Sequence, residues 1–150
     1  MTERQWTIAQ ASALTGLPES TLRYWERIGL VRPVERDLSS GHRRYSEDDI
    51  DTLDTLGNLR AVGMSVADMR RYLTGRQRGD DAAGEQRALF EAHAQRLAEE
   101  IDTLELRRRY LELKVRYWAA RERGDLDEAT EIAALIRPLI DRVNPKETTT

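Results

Sequence analysis

Apolar positions recur every three to four residues along most of the chain, the spacing of amphipathic helices. Helix starts are marked four times, by Thr7-Ile8-Ala9-Gln10, Ser46-Glu47-Asp48-Asp49, Ser65-Val66-Ala67-Asp68 and Asp125-Leu126-Asp127-Glu128. In each, a side-chain oxygen can accept from first-turn N–H groups while an acid or amide three residues on reaches back. The pattern predicts a first helix from Ile8 to about Leu14, stopped at Gly16, and a second from Pro18 to about Ile28, ended by Gly29. A third spans about Glu47–Val62 with Ile50, Leu53, Leu56 and Leu59 inward, and a fourth runs from Val66 to about Leu73. Two short helices joined by a glycine turn read as a helix-turn-helix. Pro33, Ser39, Ser40 and Gly41 then mark a turn between Val31–Val34 and His42–Tyr45, a short two-stranded wing.

Gly75–Gly84 is polar and glycine-bearing and reads as a linker. A long helix of about Glu85–Arg123 follows. Phe90, Ala94, Leu97, Ile101, Leu104, Leu111, Val115 and Trp118 keep heptad spacing along it, with one position missing at Arg108. An apolar seam of about four heptads argues for a coiled coil. The N-terminal unit is too small to cover a seam of ~50 Å, at about 1.5 Å per residue. A second copy of the chain covers it more simply, so a homodimer is expected. A last helix, about Leu126–Val143, contains Pro138, which is expected to kink or interrupt it. The expected organisation is a winged helix-turn-helix domain at 5–75, a linker at 76–84, a dimerisation helix at 85–123, a C-terminal helix at 124–143 and a disordered tail at 144–150. The fold class is mainly α.

Composition narrows this picture. Charged residues make up 34% and aromatic residues 6%, which suits a surface-rich helical protein better than one with a large core. The net charge is −3, so the chain carries no uniform basic coat. Residues 1–78 hold 12 Lys/Arg against 11 Asp/Glu, and residues 79–150 hold 12 against 16. Basic charge useful to a polyanion must therefore be local. There is no cysteine, and His42 and His93 lie far apart, which argues against disulfides, thiolate metal sites and structural zinc. No apolar run reaches the roughly 20 residues of a membrane span and no secretory signal opens the chain, so a cytoplasmic protein is expected. No nucleophile–base set or phosphate loop is present, and neither an enzyme nor a cofactor is expected.

The local basic charge lies on the second helix and the wing. Ser20, Arg23, Tyr24 and Arg27 fall at i, i+3, i+4, i+7 on one side of the helix, whereas Leu22, Trp25 and Ile28 fall on another. Gly41-His42-Arg43-Arg44-Tyr45 adds a second cluster. One helix face can pack while the other, with the hairpin tip, offers cations and hydroxyls to a phosphate backbone. Double-stranded DNA is the first hypothesis.

Thr7-Ile8 through Gly16, Thr21-Leu22-Arg23-Tyr24-Trp25-Glu26-Arg27-Ile28-Gly29-Leu30, Gly41-x-Arg43-x-Tyr45 and Gly63-Met64-Ser65 occur in order over about residues 6–75. Together they resemble the MerR family of bacterial transcription regulators. The resemblance implies a winged helix-turn-helix, a homodimer joined by an antiparallel coiled coil, and distortion of promoter DNA on a promoter shared with bacterial RNA polymerase, in response to an effector. It places Arg23 and Tyr24 at DNA-contact positions with Ser20 and Thr21 close by, and Arg43 and Tyr45 at wing positions that grip phosphates. His42 stands where the family more often has Tyr or Phe, Pro18 where Ser is frequent, and Trp25 where Tyr is frequent. Arg27 and Arg44 remain open between DNA contact and pairing with a nearby acid.

The expected dimer contacts are Phe90, Leu97, Ile101, Leu104, Leu111, Val115 and Trp118. Family metal sensors place cysteines near the coil end, and this chain has none there. A hydrophobic small-molecule effector is the remaining class, with Tyr110, Tyr117, Trp118 and Ile136 as candidate pocket residues. The alternative is that the stripe Ile132–Ile140 merely docks the last helix onto the coil. A competing function is an architectural, excisionase-like DNA-bending protein without effector, and a third is an interaction module without DNA binding.

Overall fold

The computed structural model describes residues 3–147. In chain order the elements are α1 (Ile8–Thr15), α2 (Glu19–Arg27), β1 (Glu35–Arg36), β2 (Arg43–Arg44), α3 (Glu47–Ala61), α4 (Val66–Arg78), a 3-10 turn (Gly79–Ala82), α5 (Ala83–Glu122) and α6 (Leu126–Val143). They divide into two compact units, Met1–Phe90 and Glu91–Thr150, with the boundary inside α5. Among the described residues no helix is long and apolar enough to cross a membrane.

The helix starts follow the capping chemistry. Thr7 and Ser46 form reciprocal capping boxes with Gln10 and Asp49. Ser65 accepts from the N–H of Asp68, and Asp125 from that of Glu128. Each such cap is worth ~1 kcal/mol relative to alanine. Glycine ends α1, with Gly16 at φ 72°.

In the first unit the expected inward residues of α3, namely Ile50, Leu53, Leu56 and Leu59, are all buried. They meet Leu22 and Trp25 of α2, Leu30, Val34 and Met69 in one core. Burying each large apolar side chain contributes roughly 1.5–3 kcal/mol. Leu89 joins this core, so the first turns of α5 belong to the unit.

Four expectations are corrected. The first wing strand is not Val31–Val34 but Glu35–Arg36, paired antiparallel as Glu35↔Arg44 and Arg36↔Arg43. Pro33 has no N–H for a ladder, and Val34 is drawn into the core. Secondly, α4 does not stop near Leu73 but continues to Arg78. Thirdly, residues 76–84 form no open linker, because the last turn of α4, a 3-10 turn and the start of α5 occupy them. Gly75 stays helical because α5 needs its bare face. A Cβ there would lie 2.6 Å from Nε2 of Gln86, whose amide donates to the Tyr72 carbonyl at 2.8 Å. An Arg78–Glu85 pair at 2.8 Å also spans the joint. Fourthly, of the kink or interruption expected at Pro138, the interruption does not occur, because α6 is continuous from Leu126 to Val143. Proline frees one carbonyl, that of Ala134, and both residues are exposed, so water can satisfy it.

In the second unit α6 lays Ala129, Ile132, Ile136 and Leu139 against Leu113 and Ala120 of α5, flanked by Leu106, Tyr110 and Tyr117. At about 3.6 residues per turn this face of α5 is opposite the seam. Within this unit the seam is exposed, from Leu97 and Ile101 at 48% to Val115 at 69%. Asn144 caps α6, and of the tail expected from residue 144, residues 148–150 lie outside the described residues.

Candidate nucleic-acid interface

Helix α2 separates its faces as its sequence requires. Leu22 and Trp25 are 1% and 2% exposed, and Ile28 packs against the same core. Ser20, Arg23, Tyr24 and Arg27 are exposed, and Thr21 is half-buried. Pro18 precedes the helix without a side-chain cap, and Glu19 supplies first-turn negative charge. Arg23 Nη2 lies 3.2 Å from Glu19 Oε2, an exposed i,i+4 pair. Such pairs are worth only about 0.3–0.5 kcal/mol, so Arg23 is readily given up to a stronger anion. Among the described residues no acid pairs with Arg27; its guanidinium lies over the Tyr24 ring at 5.3 Å.

The wing stands beside this helix through one tight contact. Arg43 Nε donates to Glu26 Oε2 at 2.7 Å, with both side chains largely shielded. Arg44 pairs with Asp37 at 3.5 Å, so of the two open readings of Arg44 the intramolecular pair is the one seen. The hairpin tip is built around Asp37, whose Oδ1 accepts from the Ser39 hydroxyl and the backbone N–H groups of Ser39 and Ser40. These bonds, Ser39's hydroxyl first, and then Arg44 hold the Asp37 carboxyl well below the usual carboxylate range. Asp37 N–H donates to the His42 carbonyl at 2.8 Å, which closes the turn and leaves the His42 side chain exposed. Leu38 projects fully into solvent at the tip.

Tyr45 departs from the expectation of a phosphate-gripping surface residue. Only 2% of it is exposed, and its ring belongs to the core. An isolated bridge explains this: Trp6 N–H donates to the Tyr45 carbonyl at 2.9 Å and Tyr45 N–H to that of Trp6 at 2.8 Å. The N-terminal segment thereby covers the strand. The Tyr45 hydroxyl is buried without a hydrogen-bond partner. Burial raises its pKa, opposed by Arg43.

Sequence reasoning missed Glu26, Asp37 and Arg70. Glu26 and Asp37 are acids within a cationic surface, and only the fold shows that they orient Arg43 and the tip. Arg70 lies on α4, far along the chain from α2, yet bonds to its end.

The candidate effector residues lie where α6 docks on α5 and on the seam beside it. Tyr110, Tyr117 and Ile136 are packed together where α6 meets α5. Lys114 lies over Tyr110 at 5.7 Å and Arg121 over Tyr117 at 5.9 Å. Trp118 meets Tyr117 edge-on at 5.3 Å but is 61% exposed, on the seam side. Among the described residues no His/Cys/Asp/Glu group is arranged to hold a metal ion.

A recognition helix with a buried apolar face, a cationic outer face and an adjoining two-stranded wing defines a winged helix-turn-helix DNA-binding unit. Residues 6–76 match the MerR HTH family regulatory proteins, and residues 50–113 match the family described as MerR, DNA binding. The chain is 33% identical over 126 residues to the HTH-type transcriptional regulator HmrR of Rhizobium leguminosarum, covering 84% of this chain and 96% of HmrR. It is 37% identical over 92 residues to the HTH-type transcriptional regulator AdhR of Bacillus subtilis, covering 61% of this chain and 65% of AdhR. Among solved structures it is similar to HiNmlR, a MerR family regulator lacking the sensor domain, bound to promoter DNA. The TM-score is 0.63 and the identity 29%, over 86% of this chain and 96% of that one. The chain belongs to the MerR family of helix-turn-helix transcription regulators.

Proposed function

We propose that two copies of this chain pair through α5 and present two α2–wing surfaces to a two-fold symmetric site in promoter DNA. The observation that carries the pairing is the bare seam of α5 on the side away from α6. Charge on α5 gives the orientation. Residues 83–102 hold two Lys/Arg against five Asp/Glu, and residues 103–122 hold six against three. Antiparallel pairing sets each acidic half beside a basic half, while parallel pairing sets like against like.

On DNA, Arg23, Tyr24 and Arg27, with Ser20 and Thr21, face the major groove, and Arg43 and His42 meet the backbone beside it. Base-edge contacts from α2 give sequence discrimination, and wing contacts fix register. Bound between promoter elements, such a dimer acts on RNA polymerase at the same promoter by changing DNA shape. A hydrophobic effector at Tyr110, Tyr117, Trp118 and Ile136 would have to part α6 from α5, because the residues between them are already in contact.

The test compares Arg23→Ala with Arg44→Ala by fluorescence anisotropy on operator and on random DNA. Arg23→Ala weakens operator binding more and alters base preference, because Arg44 is engaged with Asp37. Equal losses on both DNAs from Arg23→Ala would reduce Arg23 to a phosphate contact.

A further inference from the structure

The end of α2 is tied to α4 by one side chain. The helix ends in a glycine turn, with Gly29 at φ 71° and the Leu30 N–H donating back to the Trp25 carbonyl at 2.9 Å. That turn satisfies carbonyls inside the helix but leaves those of Ile28 and Gly29 pointing out. Arg70 takes both: Nη1 donates to the Gly29 carbonyl at 3.1 Å and Nη2 to that of Ile28. Its positive charge also sits at the negative end of the α2 dipole. Beside this tie lies an open groove of about 630 Å³, lined in part by Leu30, Val31, Leu73 and Thr74. On this side, therefore, the exit of α2 is held by a two-pronged hydrogen bond at the edge of a groove.

The other end of the connection is equally specific. Helix α4 is held to the first turns of α5 by the Gln86 amide on the Tyr72 carbonyl, by its close approach to Gly75, and by Tyr72 meeting Phe90 edge-on at 5.7 Å. We infer that Arg70 is a positioning residue for DNA recognition: it transmits the placement of α5 and α4 to the carboxyl end of α2, and so sets the angle at which Arg23 and Tyr24 meet the bases. This rests on the DNA-binding reading above. Arginine suits the task because its planar fork reaches two adjacent carbonyls, which a lysine ammonium cannot match in geometry.

The test uses the full chain with Arg70→Ala and Arg70→Lys, and it has two arms. Hydrogen exchange of the free protein examines the tie without DNA: both variants exchange faster at residues 28–31, with α1, α3 and α6 unchanged. Anisotropy then compares operator with random DNA. Both variants lose about tenfold on operator, the order expected for charged hydrogen bonds, and little on random DNA, so discrimination falls. Unchanged exchange at 28–31, rescue of discrimination by lysine, or equal loss on both DNAs overturns the inference. If the native chain binds no DNA specifically, the DNA-binding reading fails while the exchange arm still tests the tie.

Discussion

Arg43 of the wing and Glu26 of the recognition helix meet through a single charged hydrogen bond of 2.7 Å. The pair joins two elements that must approach DNA together, and it is largely shielded from water. An acid in a polyanion-binding surface is unfavourable by charge alone. Its place here is structural: it holds the guanidinium of Arg43 at a fixed position and angle.

Glu26→Ala therefore gives a counter-intuitive result. Removing a negative charge would raise DNA affinity if only net charge mattered. The geometry predicts weaker operator binding instead, with stability lower by about 1–3 kcal/mol because a shielded partner is left unpaired. Chemical denaturation and operator titration measure the two effects. Tighter operator binding by the variant would show that the pair does not position the wing.

Tyr45→Phe is expected to leave DNA binding unchanged while sparing the fold a buried, unpaired hydroxyl. In the free protein the hydroxyl is buried without a partner, an arrangement that costs about 1–3 kcal/mol. Phenylalanine keeps the ring in the core and removes that cost, so the variant melts at the same or a higher temperature. Operator affinity is unchanged, because the hydroxyl is buried among core residues and does not reach the surface. A variant that is destabilised, or that loses operator affinity at unchanged stability, would contradict this assignment.

The wing turn should persist into strong acid. The Asp37 pKa is depressed in the folded chain, chiefly by the Ser39 hydroxyl. Its contribution is thus complete above the ordinary aspartate pKa of about 3.9 and is lost only as the pH falls through the lower folded value. NMR shifts of Ser39 and Ser40 amides should stay constant from neutral pH down to about pH 4 and move below it. Movement of those shifts between pH 5 and 7 would refute the assignment.

The two faces of α5 separate two kinds of damage. Ile132→Ala opens a cavity where α6 docks and costs about 2–5 kcal/mol, with the dimer retained. Leu104→Glu places charge at the middle of the seam, leaves the α5–α6 contact intact, and yields monomers. Sedimentation and thermal melting read the two outcomes. A dimeric Leu104→Glu protein would remove the seam from the interface.

Much of this was legible in the chain itself. Capping side chains at Thr7, Ser46, Ser65 and Asp125 are local devices, and each begins a helix where its sequence places it. The two faces of α2 follow from spacing alone. Several of the failures come from contacts invisible to local pattern. Gly75 looks like a helix breaker, but it stays helical because Gln86 packs where a side chain would stand. Tyr45 looks like a surface residue of a hairpin until Trp6 pairs across its strand. Pro138 is tolerated because its helix is held by Ile132, Ile136 and Leu139 on the opposite side. Arg44 could be assigned to its own hairpin only once the turn brought Asp37 within reach.

The most direct test of the account is a nuclease footprint of the purified protein on the DNA upstream of its own gene. The account predicts two protected half-sites related by a two-fold axis, with enhanced cleavage between them and loss of protection for Leu104→Glu. Protection by a monomeric Leu104→Glu protein equal to that of the native chain, or a footprint without symmetry, would contradict it.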